Sequence, residues 1–307
     1  MKRKTAAFLF FFFFVWGAFV FKVPVSGKTD NSGLSFLKFG VGAKAVGMGE
    51  AFVAKSSDVT SAWWNPAGLS GIEGIQLSLT HGQWFQDITV EHFTSALNFG
   101  KNTLGLSLAM AKVPDIQKRE GPSDNPIALF DAHDVVFSFS FARSIKEGFA
   151  LGLSAKWLYE KIDIHSASGL GFDVGGIYSP LGNLNFGLAV LNFGQKMKFE
   201  KEKFSLPTLY KVGVTYLVEK KDLNSDFVFG LDLVKPRDDE VKIHLGAEYG
   251  IYHALKVRLG YQTGYDEKDF SFGLGTSFRK YSIDYGYLPH KSGLGDVHSV
   301  SLNIEIR

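Results

Sequence analysis

A chain of 307 residues with a formal charge of +2 and no cysteine has no disulfide framework, no thiolate metal site, no lipid-attachment cysteine and no long-range field favouring nucleic acid. Its 29 Phe and 34 Gly, with aromatics at 15%, combine bulky with minimal side chains, which suits strands having one greasy and one crowded face. Length alone leaves open one large β domain or two ordinary ones.

Residues 1–27 open with Lys2, Arg3 and Lys4, continue in an apolar run over 6–21, and end with small residues at Val25 and Gly27. That is the order of a secretory signal peptide, and the run is shorter than the roughly twenty residues a spanning helix needs. Cleavage would leave a short polar start, KTDNSGL, on the exported chain.

Residues 36–70 lack the two-residue alternation that follows them. Gly40, Gly42, Gly47 and Gly49 recur where backbone approaches backbone or takes positive φ, Trp63 and Trp64 are paired, and Asn65-Pro66 is turn chemistry. The stretch reads as a compact plug. The glycines are not a phosphate loop, because no strand precedes them and no Lys stands at the Walker position. The two tryptophans read as core of the plug, with stacking on a ligand as the alternative.

The order GAKAVGMGEAFVA, then an acidic residue, then WNPAGL resembles the N-terminal segment of PorV/PorQ-type outer-membrane proteins, relatives of the FadL channels for hydrophobic compounds. The resemblance implies a fourteen-stranded barrel whose lumen is blocked by an N-terminal hatch holding the NPA turn. On it, Gly42, Gly47, Gly49, Trp63, Trp64, Asn65 and Pro66 are hatch residues. Glu50 stands where the resemblance leads one to expect a small residue, often glycine.

From Ile75 onward the chain alternates with period two, in about fourteen segments. One face is apolar, as in Leu104, Leu106, Leu108 and Met110 or Leu151, Leu153, Ala155 and Trp157. The other is small, as in Thr103, Gly105, Ser107 and Ala109 or Ser271, Gly273, Gly275 and Ser277. A soluble sheet would turn Lys, Glu and Thr to water, so small residues on the second face point to a crowded interior. Segments of about ten residues match a tilted membrane strand. The second segment places Ile88 and Val90 on the apolar face, with a bulge expected near 91–94.

Connections alternate long and short, as in bacterial barrels. Outer loops are expected over 80–87, 113–134, 161–169, 194–208, 235–240, 266–269 and 288–297. The expected organisation is a signal peptide at 1–27, a hatch at 28–72 and an all-β transmembrane barrel at 73–307, placed in the outer membrane of a Gram-negative-type bacterium and inserted by its assembly machinery. The last residues, Ile306 and Arg307, depart from the aromatic ending common in such barrels.

Inward positions include Lys156, Asp173, Asp232, Lys242, Glu248, Lys256, Arg258, Asp284 and Glu305. Buried charges are costly unless paired, so these are expected to neutralise one another, with Glu248 opposite Lys256 and diagonal to Arg258 in a hairpin centred near Tyr252. His298, Ser301 and Asn303 suggest lipase chemistry, but alternation sends His298 and Ser301 to opposite faces. No metal site, cofactor or enzymatic activity is expected. Three functions compete. An open porin would need a charged water column. A conduit for hydrophobic compounds would use Trp84, Phe85, Ile127, Leu129 and Phe130 to capture ligand from outside. The resemblance to PorV implies instead a non-transporting accessory of type IX secretion that receives exported proteins. The conduit is the leading expectation and the accessory the alternative. Partners are then outer-membrane lipid, with hydrophobic small molecules or exported proteins.

Overall fold

The computed structural model describes residues 33–122, 125–252, 254–291, 293 and 295–306. The expected signal peptide, residues 28–32 and Arg307 lie outside these. The strands are β1 (Ile75–Gln83), β2 (Thr89–Phe99), β3 (Asn102–Lys118), β4 (Ala128–Lys146), β5 (Phe149–Ile162), β6 (His165–Leu181) and β7 (Leu184–Gly194). A small hairpin follows, β8 (Met197–Phe199) with β9 (Glu202–Phe204), standing apart from the main sheet. The chain continues with β10 (Leu209–Lys220), β11 (Ser225–Pro236), β12 (Lys242–Ile251), β13 (Leu255–Thr263), β14 (Phe270–Phe278), β15 (Tyr281–Leu288) and β16 (Val297–Ile306). All but β8 and β9 form one closed antiparallel barrel, sealed where β1 pairs with β16 from Ile75 opposite Ile306 to Gln83 opposite His298.

Pleating sends successive side chains to opposite faces. On β5, Leu151, Leu153 and Trp157 are exposed on the outside while Gly152, Ser154 and Lys156 are buried within. Two-residue turns at 100–101, 147–148, 182–183 and 279–280 mark one end, and the segments 119–127, 195–208 and 289–296 mark the other. The long-loop end is the outer one in barrels of this class.

Three expectations are corrected. No bulge interrupts β2, which keeps unbroken register with β1 and β3; Ile88 and Val90 are buried, with Val90 inward beside His92 and Thr94. The apolar residues switch faces along this stretch, Ile88 and Val90 inward and Phe93, Leu97 and Phe99 outward, so hydrophobicity gave no single face. The loops expected at 113–134 and 161–169 shrink to 119–127 and 163–164, because β3 to β6 carry their pairing on past the polar residues. Ion pairs Lys112–Asp131 (2.8 Å) and Lys118–Asp163 (2.6 Å) span that extension. The 194–208 loop holds the β8/β9 hairpin.

Residues 33–74 run inside the barrel, from Gly33 under the Phe204 ring at the outer end to Gly74 beside β1. They form two single helical turns, α1 (Ala43–Gly47) and α2 (Ser61–Trp64), and two 3₁₀ turns, at Ser35–Lys38 and Pro66–Gly71. Around them the wall presents inward glycines aligned across neighbouring strands: Gly230 opposite Gly246, Gly246 opposite Gly260, and Gly273 opposite Gly286. The fit is backbone to backbone. A Cβ on Gly47 would lie 2.7 Å from the Gly273 Cα, and Gly49 combines φ of 60° with a Cβ position 2.8 Å from the Tyr261 nitrogen. Nearer the outer end the interior is apolar, with Phe36, Trp63, Trp64, Trp84, Leu158, Met197 and Leu206 buried in one cluster.

Three substitutions test this description. Leu153→Arg, on an outward side chain 57% exposed, should cost roughly 2–4 kcal/mol of folding stability in lipid if it sits at mid-span. Gly273→Leu should lower the unfolding temperature by overpacking, worth about 1–3 kcal/mol. Gly121→Leu, where a Cβ meets nothing within 4 Å, should leave heat-modifiability on gels unchanged.

Candidate functional site

The chemistry-bearing side chains converge on the contact between residues 33–74 and the wall. A segment without strand partners pairs only part of its amides within its own turns, and the remaining buried ones need acceptors. The wall supplies them. Asp232 on β11 accepts from the Phe52 and Val53 amides at 2.6 and 2.8 Å. Ser271 on β14 accepts from Gly49 at 3.0 Å, and Ser301 on β16 accepts from Ala43 at 2.9 Å. Gln262 on β13 donates to the Gly49 carbonyl at 3.0 Å.

Asn65 and Pro66 build the inner end. Asn65 is fully buried and extended; its Oδ1 accepts from the Ala67 amide at 3.1 Å, capping the 3₁₀ turn, while its Nδ2 donates to the carbonyls of Val53 (2.8 Å) and Gly176 (3.2 Å). Gly175 leaves the space that this side chain fills. Trp63 and Trp64 donate their indole N–H groups to the Phe39 and Val41 carbonyls at 3.3 and 3.1 Å. Each ring also faces a wall lysine, with Lys156 Nζ 5.1 Å from the Trp63 centroid and Lys211 Nζ 4.6 Å from that of Trp64. Buried cation–π contacts of this kind are worth up to about 2 kcal/mol. Gly42, at φ of 90°, precedes α1 and lies against Thr60.

Glu248, Arg258, Asp284, Lys156 and Asp173 are ion-paired in the wall, with Glu248 in a different register from the one expected, while Asp232 serves amides instead. Glu248 stands directly opposite Arg258, with Nε 2.5 Å from Oε2, and Lys256 stands opposite Gly250. The reversal between β12 and β13 is centred one residue later than Tyr252, which moves each cross-strand partner by two. Arg258 also reaches Asp284 at 2.8 Å, and Lys156 pairs with Asp173 at 2.8 Å. Within residues 33–74, Lys44 pairs with Asp58, which accepts from the Thr60 amide at 2.9 Å just ahead of α2.

The residues expected to capture ligand are not brought together. Trp84 is buried and stacks on Phe39 at 4.2 Å, and Phe85 lies edge-on to Phe39 and 5.2 Å from the His290 ring. Leu129 and Phe130 are on opposite faces of the β4 extension, Leu129 opposite Gln117 and Phe130 opposite Ile116, and Ile127 is exposed at its end. Two grooves, of about 300 and 540 Å³, lie along the outside of the wall beside Leu79 and Met110 and beside Leu259 and Tyr285. His298 bonds the Tyr285 hydroxyl on the outside while Ser301 holds Ala43 within, so the two diverge.

Glu50 explains its own presence. It adopts φ of 61°, a conformation that favours glycine, yet is 4% exposed with its carboxylate 3.3 Å from Lys268 in the outer segment 264–269. Lys268 Nζ lies 4.5 Å above the Tyr265 ring, whose hydroxyl meets His244 at 2.9 Å. Burial works to raise the Glu50 carboxyl, but Lys268, then His244 and Lys211, outweigh it and hold the group below its ordinary 4.5. Sequence reasoning missed Lys211, Gln262, Ser271 and Lys268; only the inward phase of the first three on their strands signalled them.

A family model described as type IX secretion system protein PorV matches residues 26–226. Among solved structures, the CymD monoaromatic hydrocarbon channel superposes with a TM-score of 0.64 at 15% identity, covering 90% of this chain and 99% of that one. The Ralstonia pickettii toluene transporter TbuX gives 0.61 at 13% identity, covering 87% and 99%. A Pseudomonas aeruginosa FadL homologue gives 0.59 at 12%, covering 86% and 98%. At these identities the likeness is one of fold. No curated protein sequence matches the chain.

The Glu50–Lys268 pair makes a thermodynamic prediction. Lys268→Met strands a buried carboxylate, so it should destabilise more than the double variant Glu50→Gly/Lys268→Met. The coupling in the cycle should be about 0.5–3 kcal/mol. Because the folded group is depressed, its contribution is full above the ordinary value and is lost as pH falls through the folded one. Thermal melts should therefore lose the coupling only on acidification below about pH 4.

Proposed function

The chain belongs to the PorV family of type IX secretion system proteins, and from that premise we propose that it serves protein secretion as a closed barrel whose outer loops receive exported proteins. It is an outer-membrane β-barrel with the fold of FadL-type hydrocarbon channels. The observation that carries the proposal is the seating of residues 33–74. They meet the wall through glycine backbones and are bonded to Asp232, Ser271 and Ser301. Such a segment acts as a fixed hatch, since displacing it would orphan buried amides at about 1–3 kcal/mol each. Trp84, Met197 and Leu206 fill the lumen's outer half. Catalysis has no place in this reading, and outer-membrane lipid and the barrel assembly machinery complete the set of partners.

The second reading, a conduit for hydrophobic compounds, is favoured by the fold shared with hydrocarbon channels over nine-tenths of the chain. It requires the apolar outer half of the lumen to exchange side-chain packing for ligand.

The two separate in one preparation. Under the secretion reading, purified protein in planar bilayers should stay nearly silent, an exported protein should co-elute stoichiometrically in mild detergent, and loss of the chain should retain secreted proteins in the periplasm. Bound hydrocarbon or fatty acid in the same eluate, with secretion intact in the deletion strain, would favour the conduit. Deleting residues 36–70 should raise conductance sharply if they block the lumen.

A further inference from the structure

The β8/β9 hairpin has a charged face to which neither reading assigns a contact. Along KMKFEKEKF the pleat separates the side chains by alternation. Met197, Phe199 and Phe204 fall on one face, with Met197 buried against Gly169 of β6 and the Phe204 ring over Gly33. Lys196, Lys198, Lys201 and Lys203 fall on the other, and all four are exposed. Lys198 stands directly opposite Lys203. Like charges facing each other across a ladder are destabilising, and in a ribbon of two three-residue strands little else offsets it. Glu200, in the turn at φ of 52°, is engaged by His165 of β6 at 2.8 Å. None of the four lysines has an ion-pair partner among the described residues, whereas Lys112 and Lys118 on the neighbouring wall do.

We propose that this lysine face is a docking surface for an acidic segment of polypeptide. The ribbon is anchored on the inward side of β6 and above Gly33, so its charged face turns away from that wall and lies exposed at the outer mouth of the barrel. Four unpaired ammonium groups, two of them, Lys198 and Lys203, in cross-strand register, match carboxylates spaced along an extended chain. The proposal rests on the secretion reading only for the source of that segment, an exported protein.

The test uses the full chain in mild detergent and a fluorescein-labelled peptide of alternating Glu and Ser, with the Gln and Ser peptide as control. Anisotropy should show binding of the Glu peptide alone, weakening as salt is raised because the contact is surface-exposed. Lys198→Ser/Lys203→Ser should weaken it about five- to twentyfold, from the modest worth of each exposed pair. Lys198→Arg/Lys203→Arg should restore it, and Lys146→Ser/Lys220→Ser at the opposite end should leave it unchanged. Equal binding of both peptides, no loss in the serine variant, or preferential binding of anionic phospholipid vesicles to the ribbon would overturn the proposal. If the Glu peptide binds the ribbon while no exported protein co-elutes from cells, the secretion reading fails and the docking surface stands; the reverse result removes the docking surface and leaves that reading intact.

Discussion

An irregular backbone enclosed in a closed sheet has no strand partners, so the buried amides and carbonyls that its own turns leave unmet must be served by the wall. Everything distinctive about this barrel's interior answers that requirement. Asp232 takes two consecutive amides, Ser271 and Ser301 take one each, and Gln262 and Asn65 serve carbonyls. Such short side chains reach the inner segment only if the two backbones nearly touch. The aligned glycines of β11 to β15 make that approach possible, and a single Cβ at Gly47 or Gly273 would forbid it.

Charge follows the same geometry. Burying a lysine or a carboxylate is unfavourable unless it is paired or faces a ring. Lys156 meets both conditions, bonded to Asp173 and facing Trp63. Arg258 bridges Glu248 and Asp284. Glu50 extends this chemistry to the outer surface, joining the inner segment to the 264–269 loop through Lys268. Beside it, Trp84 and Phe85 pack on Phe39, so the outer loops cover the inner segment.

The wall is uneven in height. Strands β3, β4 and β6 run 17 to 19 residues, against 8 to 10 for β12 to β16. Membrane strands need about 9–11, so the short side matches the span alone and the long side continues beyond it. The β8/β9 hairpin leans on the inner face of the long side.

Period-two alternation was enough to read the barrel, its strand number and the inward phase of Lys156, Asp173 and Asp232, because the pleat ties sequence parity to a face of the sheet. Asn65-Pro66 and the run from Gly42 to Gly49 marked the inner segment for a similarly local reason: they are turn and close-contact chemistry wherever they stand. Parity could not orient Val90, because the apolar residues change faces along β2, nor end β3 and β4, whose polar extensions are held by ion pairs across strands. Register was equally out of reach, since a one-residue shift in the β12/β13 reversal exchanges Lys256 for Arg258 opposite Glu248. The same holds for Trp84 and Glu50. A loop tryptophan and an acid at a glycine position look exposed or misplaced until the closed barrel brings Phe39 and Lys268 beside them, because those contacts join residues far apart in the chain that only ring closure makes neighbours.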